Sequence, residues 1–477
     1  MPKLFASQRL LQSLRRVVAA AAVVTMAACG FAQSPATTPP ADLGVRKRGV
    51  DWEAFLGPTG DGKSPERGLI VPWPVGGPKL VWQIPLGVGY GMPAVSRGRL
   101  FLFDRHKSRA RLTCFNAATT EELWRFEYET DYQDLYGYNN GPRCAPVVDA
   151  DRVYIFGAEG MLHCLSVVDG TLRWKVDTAR TFGVVQNFFG VGSTPVVEGD
   201  LLIVHVGGSP PGSSEAPPGA LDFVKPNGTA VVAFDKLSGQ VRYALGDDLA
   251  SYSVPRIVSV GSRRRGFVWA RYGLIAFDPQ RGKQEFYFPW RAEILESVNA
   301  SNPVIAGDRV FLSECYGPGS VLLKTRDDGC EVVWSDADLR REKRMRTHWN
   351  TAVEVDGFVY GSSGRHTNEA ELRCVELATG HVKWSEPNLT RSSLTFVDGH
   401  FICLTEYGEL LLLKVNPEKF DLVSRFTPLR PEGGADPTGL GPARLLSYPA
   451  WAAAIVSHGL MYVRGENRLA CYEIIPD

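Results

Sequence analysis

Ser193-Thr-Pro-Val-Val-Glu-Gly-Asp-Leu-Leu-Ile-Val204, followed after a gap by Val231-Val-Ala-Phe-Asp-Lys-Leu-Ser-Gly-Gln-Val-Arg-Tyr243, is the fullest copy of a pattern that decides the fold. Short β-branched and apolar runs are separated by Glu-Gly-Asp and Leu-Ser-Gly, whose residues favour turns. The pattern reads as a strand, a tight turn, a second strand, a third strand ending near an acidic residue, a Gly turn, and a fourth strand with an aromatic four residues after that Gly. It occurs eight times between Pro93 and the C-terminus. A repeated unit of four short antiparallel strands is a propeller blade, so the expected fold is all-β, an eight-bladed β-propeller.

Two independent anchors hold the register. The first turn falls at Gly98, Ala150, Gly199, Gly261, Gly307, Gly357, Gly399 and Gly459, on average about 52 residues apart, a spacing that suits four-stranded blades with some enlarged loops. The turn before the outermost strand precedes an aromatic by the same offset in Thr120 to Trp124, Gly170 to Trp174, Gly239 to Tyr243, Gly282 to Phe286 and Gly380 to Trp384; Asp328-Gly329 to Trp334 is one residue longer. Pro93, Pro146, Pro195, Pro255 and Pro303 stand at the start of the innermost strand, where a missing N–H removes no ladder bond.

The two ends of the chain complement each other. The last repeat stops after Leu469-Ala-Cys-Tyr472 without a fourth strand, and Pro78-Lys-Leu-Val-Trp82 has the outer-strand pattern with no inner strands before it. Leu80 to Ile84 is therefore expected to close the eighth blade and cover its edge, with Trp82 as the closure residue. The stretch Asp51 to Gly62, together with Trp73, is expected to wrap the outside of that blade, which makes Trp52 less important than Trp82. Asp336 to Arg346 is expected to be a short, charged surface helix.

Residues 1–29 read as an export signal, with Lys3, Arg9, Arg15 and Arg16 ahead of an apolar run from Val17 to Ala28 that is too short to span a membrane. Met26-Ala-Ala-Cys-Gly30 resembles a lipoprotein processing site, so Cys29 is the expected lipidation site, and cleavage after Ala32 is the alternative. Residues 30–50 then form a flexible tether and residues 51–477 the propeller. The chain is expected in the periplasm, anchored to the envelope, with the outer membrane favoured. Basic and acidic residues balance at 52 each, which gives no global field for nucleic acid. Cys114, Cys164, Cys374 and Cys471 occupy equivalent third-strand positions in separate blades, too far apart to bridge. Cys315 and Cys330 share a blade, and pairing between them is left open.

The repeat, clearest at Leu372-Arg-Cys-Val-Glu-Leu-Ala-Thr-Gly-His-Val-Lys-Trp384, resembles the PQQ-type repeat over residues 51 to 475. Two classes share that repeat. Quinoprotein alcohol dehydrogenases bind pyrroloquinoline quinone and calcium over the central channel. Cofactor-free scaffolds similar to the outer membrane protein assembly factor BamB are lipid-anchored propellers. The dehydrogenase resemblance implies an adjacent Cys-Cys pair, and no two cysteines are neighbours here; Cys-x-x-Cys-His for haem is absent too. Glu296 and Asn299 receive no role from it. The expectation is a non-enzymatic scaffold with no catalytic or metal residues and neither quinone nor calcium. A quinoprotein oxidoreductase and a carbohydrate-binding envelope protein are the alternatives.

Loops entering the innermost strands converge at the mouth of a propeller. Here they carry Tyr138, Arg143, Phe189, Tyr252, Trp349, Arg391 and Tyr448, the side-chain types that dominate interface energies. These residues are the expected binding rim for an envelope protein partner or an extended peptide, or alternatively a polysaccharide, with the membrane reached only through the lipid. On this reading, replacing Arg143, Trp349 and Arg391 by Ala removes binding and leaves stability nearly unchanged.

Overall fold

The structure, a computed structural model, describes residues 38–44, 46, 48–213, 216–431, 433–434 and 442–477. The expected export signal and Cys29 lie outside the described residues. Eight antiparallel sheets, each built on four strands, follow one another in a ring as the repeat requires. Seven are formed by consecutive chain segments; the eighth takes Lys79–Pro85 as its outermost strand, beside Arg468–Glu473. The seventh carries one extra short strand, Lys63–Ser64, parallel to Ser392–Val397.

Local chemistry explains the blade. The first hairpin turns over two residues with positive φ at Arg97-Gly98, Asp356-Gly357, Asp398-Gly399 and His458-Gly459, the backbone sign that matches strand twist. Second strands such as Leu201–His205 are buried on both faces, with Leu202, Ile203 and Val204 fully inaccessible. Eight apolar clusters fill the junctions between neighbouring blades.

The four-residue offset has a structural cause at the perimeter. In every blade the third and fourth strands slip register by one residue at the same place. In seven blades the residue after that bulge is an aromatic. Its ring leans onto the next blade and, where it has an N–H or O–H, donates to a backbone carbonyl there: Trp82 to Ala117 (3.0 Å), Trp124 to Val167 (2.9 Å), Trp174 to Lys236 (3.1 Å), Tyr243 to Pro279 (2.7 Å), Trp334 to Leu377 (2.9 Å) and Trp384 to Asn416 (2.9 Å). The turn Gly lies under its neighbour's ring. A Cβ on Gly170 would sit 2.5 Å from Trp124, and one on Gly239 would sit 2.7 Å from Trp174. The third-strand cysteines pair across the bulge with these aromatics: Cys114 with Trp124, Cys164 with Trp174, Cys374 with Trp384 and Cys471 with Trp82.

The seventh blade has Ser424 where the others carry the aromatic. Trp73 from the N-terminal segment is buried in the cluster between the seventh and eighth blades, and its backbone N–H donates to Ser424 Oγ at 3.0 Å.

The structure corrects four expectations. Asp51 to Gly62 does not wrap the eighth blade: Trp52 bridges Val95 in the first blade, the Glu53 carbonyl accepts from Val148 N in the second, Gly60 lies against Arg256 in the fourth, and Lys63 pairs beside Phe396 in the seventh. This segment therefore crosses the ring along its innermost strands, because Trp52, Leu56 and Gly57 are apolar or small and find cover there. Trp52 is consequently 1% exposed, more deeply set than the half-buried Trp82. The described part of residues 38–50 is tied down as well. Arg97 and Arg99 donate to the carbonyls of Pro40 and Ala41, and Arg46 pairs with Glu473 at 2.6 Å.

Asp336 to Arg346 forms no helix. The buried Asp336 carboxylate accepts from Ser320 N, Ser320 Oγ and Arg344 N, and this local competition outweighs helix propensity in a stretch without an apolar face. Among the described residues the α-helix is Thr178–Phe182, N-capped by Asp177. Cys315 and Cys330 are free. Cys315 follows the second strand of its blade (Arg309–Ser313) and Cys330 begins the fourth (Cys330–Ser335), which puts them at opposite ends of the sheet. No helix among the described residues is long and apolar enough to cross a membrane.

Candidate functional site: the mouth of the ring

Innermost strands run away from the mouth and second strands return to it. Two sets of loops therefore meet there: those entering first strands and those joining second to third strands. Together they line a cavity of about 600 Å³. All seven residues of the expected rim, Tyr138, Arg143, Phe189, Tyr252, Trp349, Arg391 and Tyr448, line it. Phe55 and Leu56, from the segment that crosses the ring, line it too, so the chain's own N-terminal stretch forms part of the cavity wall.

Two aromatic groups shape the cavity. Tyr136, Tyr138, Phe188, Phe189 and Tyr252 form one, with successive ring centroids 5.7 to 6.4 Å apart. Trp451 centres the other, 5.0 Å from Tyr90, 5.6 Å from Trp349 and 6.1 Å from Tyr448. Tyr138 is 65% exposed and Tyr448 44%.

Arg143 and Arg391 are not free to meet a partner. Arg143 pairs with the fully buried Asp134 carboxylate and donates to the Asn139 carbonyl at 2.7 Å, beneath the rings of Tyr90 and Tyr132. Arg391 pairs with the fully buried Glu406 at 2.7 Å and lies over Trp451, whose indole N–H reaches the same carboxylate at 3.3 Å. Each arginine satisfies a charge that water cannot reach, so both hold the mouth together. The geometry therefore points to a loss of stability on replacing them, contrary to the expectation above.

Histidine 348 is also enclosed. Its Nε2 shares a hydrogen bond with Tyr316 Oη at 2.9 Å and its Nδ1 faces Arg391 at 3.4 Å. Burial and the charges of Arg391 and Arg365 push its pKa down to about 3, so it is neutral at physiological pH. Burial also raises the Tyr252 hydroxyl well above its ordinary value, and that oxygen accepts from Phe189 N at 2.7 Å. Among the described residues, no three His, Cys, Asp or Glu side chains gather as they would around a metal.

Tyr136, Tyr316, Arg365 and Trp451 were missed: Tyr136 stands just upstream of the stretch read before its strand, and Trp451 lies between Tyr448 and the innermost strand Ile455–Ser457. Tyr316 and Arg365 lie on second-to-third-strand loops. Strand alternation alone puts those loops at the same end, a signal available in the repeat. Nothing in the sequence pattern pointed to Phe55 and Leu56.

The profile of the family described as outer membrane protein assembly factor BamB matches residues 76–245 and 227–399. No curated protein sequence matches the chain. Among solved structures, BamB from Moraxella catarrhalis is similar over 83% of this chain and 97% of its own, at 12% identity and a TM-score of 0.52, a likeness of fold alone. A quinohemoprotein alcohol dehydrogenase from Pseudomonas putida HK5 (10% identity, 89% of this chain and 80% of that one, TM-score 0.46) and a europium-containing methanol dehydrogenase (11%, 76% and 89%, 0.43) are more distant in shape and carry no argument about this chain.

Proposed function

The chain belongs to the family of the outer membrane protein assembly factor BamB, and from that premise we propose that it is a non-enzymatic scaffold of the cell envelope whose mouth docks a protein partner of outer-membrane assembly. One observation carries the reading: the buried groups at the mouth that could do acid–base chemistry are engaged with one another, while the lining carboxylate Glu296 is exposed and has no ion-pair partner among the described residues. Asp134 and Glu406 are ion-paired, and His348 is neutral with both ring nitrogens occupied. What faces outward is aromatic surface, which suits recognition rather than reaction. The proposal includes no quinone and no calcium, in keeping with the lack of adjacent cysteines. It places the protein in the periplasm, held to the outer membrane by a lipid on Cys29.

A photo-crosslinking residue placed at Tyr138 or Tyr448 tests the docking face in living cells. The expected result is a single envelope protein crosslinked from both positions and none from Asp200 or Asp356, at the opposite hairpin turns. Crosslinking only from the hairpin turns refutes it. A fatty-acid probe should label the wild type and not Cys29→Ala; equal labelling removes the anchor from the proposal.

A further inference from the structure

The chemistry of the mouth narrows what can sit in it. Its polar side chains are largely spent on one another. Asn350 bridges His348 N and Ser362 O, Asn302 holds Val254 N and Thr351 Oγ1, and Ser393 Oγ donates to Trp451 O. A sugar brings many hydroxyls that need partners, and burying them against occupied groups costs free energy at each one. Apolar and aromatic surface needs none, and two aromatic groups with Phe55 and Leu56 provide a matching surface.

Several polar groups in the lining are exceptions. The Trp349 indole N–H is inaccessible to water and has no acceptor among the described residues. The Arg365 guanidinium lies over the Tyr316 ring at 4.5 Å, and no carboxylate among the described residues pairs with it. Arg143 and Arg391 are each neutralised by a buried acid, so Arg365 is the uncompensated arginine of the lining. Glu296, on the loop between the fourth and fifth blades, is a lining carboxylate with no ion-pair partner among the described residues. The rim is therefore polarised, and an acidic group is drawn to the sixth-blade side, where Arg365 stands, and turned away from Glu296.

We propose that the mouth takes an aromatic side chain of an extended peptide segment that also carries an acidic side chain, the ring entering between the two aromatic groups and the carboxylate pairing with Arg365. This rests on the reading of the protein as a scaffold for protein partners and specifies the chemistry its mouth selects.

The test is selection of a random heptapeptide library on the protein purified from the cell envelope, with chitohexaose as the sugar probe. Selected peptides should combine Phe, Tyr or Trp with Asp or Glu. A fluorescent peptide of the selected sequence should lose about tenfold in affinity with Arg365→Gln, and about the same when its own acid is replaced by the amide. Combining the two changes should cost little more than either alone, the mark of a direct pair. Arg365→Gln removes no ion pair, so an unchanged melting temperature confirms that the fold is intact. Selection of peptides without aromatics or acids, or displacement of the peptide by chitohexaose, overturns the proposal. The two readings fail separately. If mouth positions crosslink an envelope protein while Arg365→Gln leaves that crosslink and all peptide binding unchanged, the scaffold stands and this ligand chemistry falls. If acidic aromatic peptides bind as described and no envelope protein is crosslinked, the ligand chemistry stands and the scaffold falls.

Discussion

The perimeter and the mouth of this ring use the same residue types to opposite ends. At the perimeter, Trp124 gives its N–H to the Val167 carbonyl and lays its ring over Gly170; at the mouth, Trp349 has an inaccessible N–H with no acceptor among the described residues. Arg344 lies over Trp334 at the perimeter much as Arg391 lies over Trp451 at the mouth, at 5.0 and 5.5 Å. The difference is in what completes each contact. Perimeter aromatics are completed by backbone of the next blade, which cannot change without breaking the repeat. Mouth aromatics are completed by side chains from several loops, or left incomplete. The first arrangement builds a ring; the second leaves a surface for something else to finish.

The hardest blow to this distinction comes from the segment that joins the two regions. Trp52→Ala should cost about 3–5 kcal/mol in urea unfolding, with Trp82→Ala toward the low end of that range because Trp82 is only half-buried. A larger loss at Trp82 would make strand closure dominate over the segment crossing the ring. At the mouth, Arg391→Ala should also cost about 3–5 kcal/mol by stranding the buried Glu406 carboxylate, and adding Glu406→Gln should recover part of it. A neutral Arg391→Ala would return this residue to the partner-facing role that its sequence position suggests.

Next in size is a test of the perimeter. Gly170→Ala and Gly199→Ala both place a side chain at positive φ, which costs about 1–2 kcal/mol. Only the first drives a Cβ into an indole ring, so it should lose about 1–3 kcal/mol more. Equal losses would mean that ring and glycine do not hold the offset.

The smallest effect is one of pH. His458 Nε2 donates to Asp51 Oδ1 at 2.9 Å and joins the N-terminal segment to the eighth blade. The hydrogen bond to Asp51 raises the His458 pKa above its ordinary 6.5. Its stabilisation is therefore complete below 6.5 and is lost as pH rises through the higher folded-state value. Burial opposes ionisation of Asp51, but His458 and Arg97 N together hold its pKa below 3.8, so its share persists down to that acid range. Wild type should lose stability from pH 6 to pH 9 relative to His458→Gln by less than about 1 kcal/mol. A parallel pH profile in the variant would remove the pair from the closure.

The ring was legible because its causes are local and repeated. Turn glycines, strand prolines and the offset aromatic each act within one hairpin or between adjacent blades, so the pattern that makes one blade recurs until the ring is complete. The closing strand at Lys79–Pro85 was legible for the same reason, since one end of the chain lacked the strand that the other had spare. The eleven residues from Asp336 to Arg346 misled because their charge pattern suggests a helix, whereas one carboxylate, Asp336, organises them through contacts along the sequence and across to Ser320.

The sequence by itself determined the blade, the number of blades, how the ring closes, and seven of the loop residues that line its mouth. Only the tertiary structure decided which of those residues are available. Whether Arg143 and Arg391 are free depends on Asp134 and Glu406, acids nine and fifteen residues away along the chain that reach them only once the loops have folded. Nor did any repeat pattern predict that Asp51 to Gly62 would cross the ring and contribute Phe55 and Leu56 to the cavity. That path occurs once, and it depends on the combined surface of several blades, which exists only after they have assembled.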